Sequence, residues 1–416
     1  MPSEVAVAVV GAGAAGIAAT RRLYESGVDC LLIEARDRLG GRAWTVDDGQ
    51  GHALDLGCGW LHSADRNPWR AIAERRGVAL DSTPPPWMRR SLETGFPRAQ
   101  QDEFLAASAA FFERLERSAE TEPDRPAAAL LEPGCRWNPL ITAVSTYMTG
   151  AMLGRLSTHD FARYEDTRIN WRAVGGYGAL ITSYGTGLPV ALDCRVETID
   201  HSGKRLRLKT RRGAVMAERA IVTIATSLLA AEALAFVPAL PDKITAARGL
   251  PLGLADKLFL SLEAAEEFDK EVRVFGRTDR VKTAAYHIRP FGKSLIEGYF
   301  GGELAAELEQ AGDGAFFDFA SAELVGLFGS RFASRLKQVR IHGWGRDPLS
   351  RGSYSYALPG SADCRKVLAE PVDDRLFFAG EACSEHDFST AHGGFNTGVA
   401  AAERVIGSLA RRPARS

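Results

Sequence analysis

Three sets of residues have types and spacings that could do chemistry. The first is a glycine run, Gly11-Ala12-Gly13-Ala14-Ala15-Gly16, lying between the apolar run Val5 to Val10 and a helical stretch, Ile17 to Tyr24, that Gly27 ends. A second apolar strand, Cys30 to Ile33, then closes on Glu34. This is a complete β-α-β opening with a dinucleotide fingerprint. Gly11 allows the tight turn, Gly13 lets the backbone approach a pyrophosphate, and Gly16 lets the helix sit on the strand. Ala14 and Ala15 begin the helix, where free N–H groups and a partial positive charge meet phosphate. Glu34 would accept hydrogen bonds from both ribose hydroxyls and repel a 2′-phosphate, which argues against NADP. The second set is Glu34-Ala35-Arg36-Asp37-Arg38-Leu39-Gly40-Gly41-Arg42. Gly40 and Gly41 let the backbone pass close to a ligand, and Arg36 and Arg42 carry positive charge toward phosphate. The third is Lys257, in the apolar alternation of Leu254, Leu258 and Leu260. A charge there needs a reason; on pattern alone it reads as an edge-strand lysine facing solvent.

These residues need elements to hold them. After the opening unit, Pro84-Pro85-Pro86 marks a break, and Asp102 to Glu120 has apolar residues at helical spacing. Strand alternation returns at Val190 to Asp200 and at Arg205 to Thr210, read as a hairpin across Ser202-Gly203. Ala220 to Ala225 reads as a buried strand and Gly301 to Phe328 as helical. Leu376 to Ala379 reads as a strand, and Gly398 to Leu409 as the last helix. The expected fold class is α/β with an α+β character overall. A discontinuous Rossmann-like nucleotide domain (1–83, 171–247 and 345–416) carries an inserted second domain of mixed sheet plus helices (84–170 and 248–344). A chain of 416 residues is long enough for two cores.

Composition excludes several classes. Lys plus Arg number 51 and Asp plus Glu 52, so no basic excess points to nucleic acid or an anionic membrane. The six cysteines form no CxxC pair, and the eight histidines show no ligand spacing. Neither a metal site nor a disulfide framework is expected, and a reducing compartment fits. Met1 to Glu4 leads straight into an apolar strand with no basic leader, Ala220 to Val237 is broken by polar residues, and the tail after Leu409 is short and polar. The expectation is a cytoplasmic protein that is a monomer or homodimer.

The second set resembles the E-A-x-x-x-x-G-G-R signature of the flavin amine oxidase superfamily, and further segments match in family order. Asp55-Leu56-Gly57-Cys58-Gly59-Trp60-Leu61-His62-Ser63 is similar to a segment of polyamine oxidases. So are Trp344-Gly345-Arg346-Asp347-Pro348 and Gly352-Ser353-Tyr354-Ser355-Tyr356. Phe377-Phe378-Ala379-Gly380-Glu381-Ala382 resembles the F-A-G-E-A/H box, and Ala391-His392-Gly393-Gly394 with Thr397-Gly398-Val399 resembles the closing motif. The detail is closest to the polyamine oxidase branch, within a superfamily that includes monoamine oxidases and histone demethylases. Roughly 84–170 and 260–340 carry no placeable motif.

The resemblance implies FAD, with Gly380 and Glu381 at its ribityl or pyrophosphate region, the Val196 backbone at the adenine, and Gly57, Cys58, Gly59, Trp60 and Leu61 along the ring. It also implies that Gly398 and Val399 begin the last helix and aim its N-terminus at the flavin. Some members attach flavin through a cysteine before the first cage tyrosine; Ser353 stands there, so noncovalent FAD is expected. Lys257 would hold a water against flavin N5, Tyr354 would be the first wall of an aromatic cage, and Thr390 falls on the second. His62 is either a substrate-side residue or a histidine bonded within its loop. Trp344 lies against the flavin or simply packs in the core. The implied activity is oxidation of an amine or polyamine-like substrate to an imine and then an aldehyde. Molecular oxygen or another acceptor takes the electrons. The alternatives are an L-amino-acid oxidase or desaturase, for which Arg168, Arg172 and Arg289 are candidate carboxylate partners, and a non-catalytic FAD-binding scaffold.

Overall fold

Val5 to Val10, with no polar side chain among them, form an inner strand, Glu4–Val10, of an eight-stranded sheet in the computed structural model, which describes residues 2–410. The basic tail at 411–416 lies outside the described residues. Glu4–Val10 pairs in parallel with Cys30–Ile33 on one side and Gly213–Val222 on the other. Gly213–Val222 is long enough to serve two partners. Its first half pairs antiparallel with Leu206–Thr210, and its last three residues pair in parallel with Leu376–Phe378. Burial on both faces is what such apolar runs require.

The hairpin across Ser202-Gly203 is present, joining Val196–Asp200 to Leu206–Thr210. The single strand expected from Val190 to Asp200 is instead two short ones at different places in the sheet. Val190–Ala191 pairs with Cys30–Ile33, while Val196–Asp200 lies beyond Leu206–Thr210. Asp193 adopts a left-handed φ of 50°, which bends the chain, and the N–H groups of Asp193 and Cys194 donate to the carbonyls of Arg36 and Glu34.

The first helix, Ala14–Glu25, and the last, Ala391–Ala410, lie against each other beside this sheet. A Cβ on Gly398 would fall 2.2 Å from the Ala15 carbonyl oxygen, so glycine lets the two backbones touch. Within the first unit, a Cβ on Gly16 would fall 1.8 Å from the Gly11 carbonyl oxygen.

The second sheet is antiparallel throughout, in the order Val272–Phe275, Ala285–Ile288, Leu295–Gly301, Ala255–Leu262, Leu336–Ile341. One face carries Leu258, Leu260, Ile296, Phe300, Tyr286 and Val274, which pack under the helices Gly302–Ala311 and Asp313–Phe328. Full burial stabilises each aliphatic chain there by about 1.5–3 kcal/mol. The helices Arg98–Thr121 and Asn138–Thr149 form a further core with Phe275 and Tyr356. No helix is long and apolar enough to cross a membrane, among the described residues.

Candidate active site

The glycine turn opens one wall of a cavity lined by Gly11, Gly13, Glu34, Ala35, Arg36, Gly41, Arg42 and Val196. These come from four separated stretches of sequence. The turn exists because Gly11 adopts φ +99°, a conformation that a side chain would strain, while the Thr223 hydroxyl bonds the Val10 and Gly11 carbonyls from below. At Gly13 an added Cβ would meet nothing closer than 4.0 Å, so the backbone faces open space. Glu34 is 6% exposed and accepts from the Ala12 and Arg36 N–H groups at 2.6 and 2.8 Å. Its carboxylate is thereby fixed at the mouth of the cavity. An adenine dinucleotide fits this set: glycine backbone for the pyrophosphate, a fixed carboxylate for the ribose, Val196 for the base.

Arg36 lines this cavity and also has a carboxylate partner. Its guanidinium forks onto Asp347 at 3.0 and 2.8 Å and also donates to Ser350, so its charge is neutralised by a carboxylate that is itself buried. Burial would raise the Asp347 carboxyl; His342 and Arg36 hold it well below the usual range. Arg36 therefore ties the Trp344–Ser350 loop to the nucleotide domain. Arg42 donates to Glu381 at 3.0 Å and to the Ser353 carbonyl. Glu381 also accepts from the Ser355 hydroxyl and the Ser389 N–H, and burial is outweighed by Arg42 and these bonds, leaving its carboxyl below the ordinary value. Gly380 is held at φ +145°, its N–H bonded to the Thr397 hydroxyl. A Cβ on Gly40 would fall 2.2 Å from the Ala43 carbonyl oxygen.

Lys257 sits on an inner strand, with paired neighbours on both sides, which overturns the reading of an edge lysine in solvent. Its ammonium donates to the Asp55 carbonyl at 2.9 Å and pairs with Glu297 at 3.1 Å. A Cβ on Gly59 would fall 3.0 Å from the ammonium, so the turn Asp55–Gly59 lies directly on it. Gly57 is equally constrained: its Cβ would fall 1.7 Å from the Arg42 carbonyl oxygen. Below it, the Trp344 indole is buried and donates to the Leu56 carbonyl at 3.0 Å. Trp344 is thus the floor under this turn. Burial pushes the Cys58 thiol up to about 12, so it stays neutral. Leu61 is fully buried in the nucleotide-domain core and bridges the Trp171 backbone.

The Ser353 hydroxyl bonds both backbone groups of Ala255, bringing Tyr354 beside the start of the lysine strand. The Tyr354 hydroxyl donates to the Tyr147 carbonyl at 2.8 Å, and burial raises the phenol. His62 bonds Asn170 through Nδ1 at 2.7 Å, and burial lowers its pKa, keeping the ring neutral. Its ring lies 6.3 Å from Trp87, which packs edge-on against Trp60 at 4.5 Å.

One expectation at the closing motif is corrected. The last helix begins at Ala391, so Gly398 and Val399 lie inside it, not at its N-terminus. Gly394 and Gly398 are four residues apart on the face against Ala14 and Ala15, and that close packing sustains the glycine-rich turns. Thr390, expected as a cage wall, has its hydroxyl committed: it accepts from the Gly393 N–H at 2.9 Å and donates to the Asp387 carbonyl. That is a helix cap.

Sequence reasoning missed Glu297 and the charges beyond it. His287 bonds Glu271 at 2.7 Å, and Glu271 pairs with Arg172, which also pairs with Asp81. The register Glu297↔His287 was the only signal that could have found them, and it appears only once the strands are paired. Of the candidate carboxylate partners, Arg172 is thus doubly neutralised, Arg289 donates to the Phe268 and Gly292 carbonyls, and Arg168 is exposed.

The sequence profile of the family "Flavin containing amine oxidoreductase" matches residues 14–139 and 99–406. Polyamine oxidase 3 of Oryza sativa subsp. japonica is 29% identical over 430 residues, covering 95% of this chain and 88% of that one. Lysine-specific histone demethylase 1 homolog 2 of the same organism is 28% identical over 96% of this chain, which spans only 57% of that relative's length. Cyclohexylamine oxidase from Brevibacterium oxydans IH-35A shares the fold, with a TM-score of 0.77 at 20% identity over 99% of this chain and 100% of that one.

Proposed function

The chain belongs to the flavin containing amine oxidoreductases, FAD-dependent enzymes acting on amines, and from that premise we propose that it oxidises a C–N bond of a small-molecule amine by hydride transfer. The observation that carries the reading is Lys257, an ammonium on an inner strand, clamped by the Asp55 carbonyl and Glu297 against Gly59. Bound FAD supplies the hydride acceptor.

The residues of this chain do the rest. The cavity around Glu34, Gly13 and Val196 holds the adenine end. The Asp55–Gly59 turn, with Trp344 beneath it, fixes where the reacting end lies. Lys257 holds a water there and stabilises negative charge that develops nearby. The Tyr354 ring faces the substrate nitrogen and favours growing positive charge by about 0.5–2 kcal/mol. The amine must arrive neutral for its lone pair to expel hydride, and burial favours that form. The resulting imine is hydrolysed to an aldehyde, and with oxygen as acceptor the electrons leave as hydrogen peroxide. Arg172 is already paired with two carboxylates, Asp81 and Glu271, which argues against its holding an α-amino acid's carboxylate.

Anaerobic bleaching of flavin absorbance by a panel of amines, polyamines and α-amino acids tests this. Bleaching by amines is expected. Bleaching by α-amino acids alone, or by nothing, overturns it.

A further inference from the structure

The face of the second sheet that carries Lys257 is unusually polar. Cross-strand partners share a face, so the register places Lys257, Tyr299, Ala285 and Phe275 in one row, and Phe259, Glu297, His287 and Arg273 in the next. Lys337 and Arg340 lie at the exposed edge of this face, opposite Ser261 and Phe259; of the charged groups further in, all but one have an ion-pair partner among the described residues. Lys257 has Glu297, and His287 has Glu271. Arg273 has no salt bridge and no side-chain hydrogen bond among the described residues.

Arg273 is not a surface arginine. Its guanidinium lies over the Phe275 ring at 4.2 Å, and burial pulls its pKa down to about 10. Its electrostatic neighbours are Tyr147 and Tyr299, and burial raises both phenols, so neither can neutralise it. Those two residues lead to the reacting centre. The Tyr147 carbonyl accepts from Tyr354, and the Tyr299 ring lies 5.8 Å from the Lys257 ammonium. Arg273 is only part-buried and its guanidinium nitrogens reach open space, so a part-buried charge without a carboxylate partner is placed to take an anion there.

We propose that Arg273 binds an anionic group, a carboxylate, on the substrate, and that the substrate is an amine carrying that anion at its far end. This rests on the amine-oxidising reading above and names its substrate class. Three strand spacings and one row separate Arg273 from Lys257, about 16 Å between backbones. The anion therefore lies several bonds from the reacting carbon, as in an ω-amino acid. The same face disfavours a long polycation: its carboxylates, Glu297 and the neighbouring Glu271, already hold Lys257, His287 and Arg172.

The test compares 6-aminohexanoate, hexylamine, 1,6-diaminohexane and 2-aminohexanoate as reductants of the FAD-loaded protein. In the same preparations hexanoate, which has no amine, is titrated by its perturbation of the flavin spectrum. Wild type should prefer 6-aminohexanoate to hexylamine by at least about tenfold in kcat/KM, the scale of one charge-assisted pair. Arg273→Met should erase that ratio and weaken hexanoate binding by at least about tenfold, while Arg273→Lys should keep part of both. The ratio does not move with a general loss of activity. A preference for hexylamine, the diamine or 2-aminohexanoate overturns the proposal, as does a ratio that Arg273→Met leaves unchanged. If no amine reduces the flavin, the amine-oxidising reading falls. Hexanoate binding lost in the Met variant then still supports an anion site at Arg273, and absent binding overturns it. Should the Met variant fail to fold, the wild-type and Lys measurements decide.

Discussion

Replacing Lys257 by Met removes a charge and leaves its partner behind. Glu297 is 9% exposed, and burial alone would raise its carboxyl above the ordinary value of 4.5; Lys257 is the largest influence holding it below, followed by His287. Removing one member of a buried pair costs about 3–5 kcal/mol when the remaining charge stays ionised. Protonation of Glu297 limits the loss, because a carboxyl can escape by taking up a proton. We therefore expect Lys257→Met to be destabilised by about 3 kcal/mol at pH 8. The pH dependence has a definite sign. In the wild type the folded pKa lies below the unfolded one, so the pair contributes stability above about pH 4.5 that is lost as pH falls through the folded value. In the variant burial wins and the folded pKa lies above the unfolded one. Its deficit is then full at high pH and shrinks as pH falls toward 5. Denaturant melts of FAD-loaded protein from pH 5 to 8 measure this directly. Adding Glu297→Gln to the variant should recover most of the stability and none of the turnover, which Lys257→Met slows sharply while the protein stays yellow. A deficit that ignores pH, or a double variant no more stable than the single one, refutes the account.

Gly398→Ala should destabilise by about 1–3 kcal/mol and weaken FAD retention, since its Cβ would meet the Ala15 backbone at 2.2 Å; thermal melts and the flavin-to-protein absorbance ratio check both. Thr390→Ala should cost about 1 kcal/mol, the worth of a cap, with turnover of amines falling less than about threefold; a collapse of kcat at unchanged stability would return Thr390 to the substrate wall. Acid precipitation should release all the yellow colour, because the Ser353 hydroxyl is bonded to Ala255 and offers no thiol for attachment; colour in the pellet contradicts this.

The cofactor end of the site was legible because its constraints are local. Gly11, Gly16 and Glu34 act within one β-α-β unit, and each does so for a reason visible in the residue type. Lys257 stood out as a charge in an apolar run and took its role from the family resemblance, but its sequence neighbours say nothing about Glu297, which lies 40 positions on and reaches it by strand pairing. The start of the last helix was misplaced because Ala391 to Gly398 holds three glycines, poor helix formers by intrinsic preference. Contact with Ala14 and Ala15, nearly four hundred positions away, overrides that preference. The partner of Arg36 was hidden for a similar reason: its type suits phosphate, but Asp347 lies 311 positions on and reaches it only by tertiary folding.

The two faces of the second sheet explain why its sequence carries no motif and yet holds the chemistry. Leu258, Leu260, Ile296 and Phe300 need only be apolar and of suitable size, so many sequences satisfy the helix-packed face. The opposite face must place individual charges. Lys257 faces the Asp55–Gly59 turn, Glu297 neutralises it, and Arg273 stays without a carboxylate partner in the same row as Glu297 and His287. Alternation with a period of two is the only link between those demands, and it allows either face to change without disturbing the other. Substitution at Arg273 should therefore alter which amine is accepted while the core beneath Val274 and Tyr286 stays packed. Parallel measurement of the substrate ratio and of melting stability in Arg273→Lys separates the two faces: a changed ratio with stability within about 1 kcal/mol is expected, and a large stability loss would mean that Arg273 serves the fold.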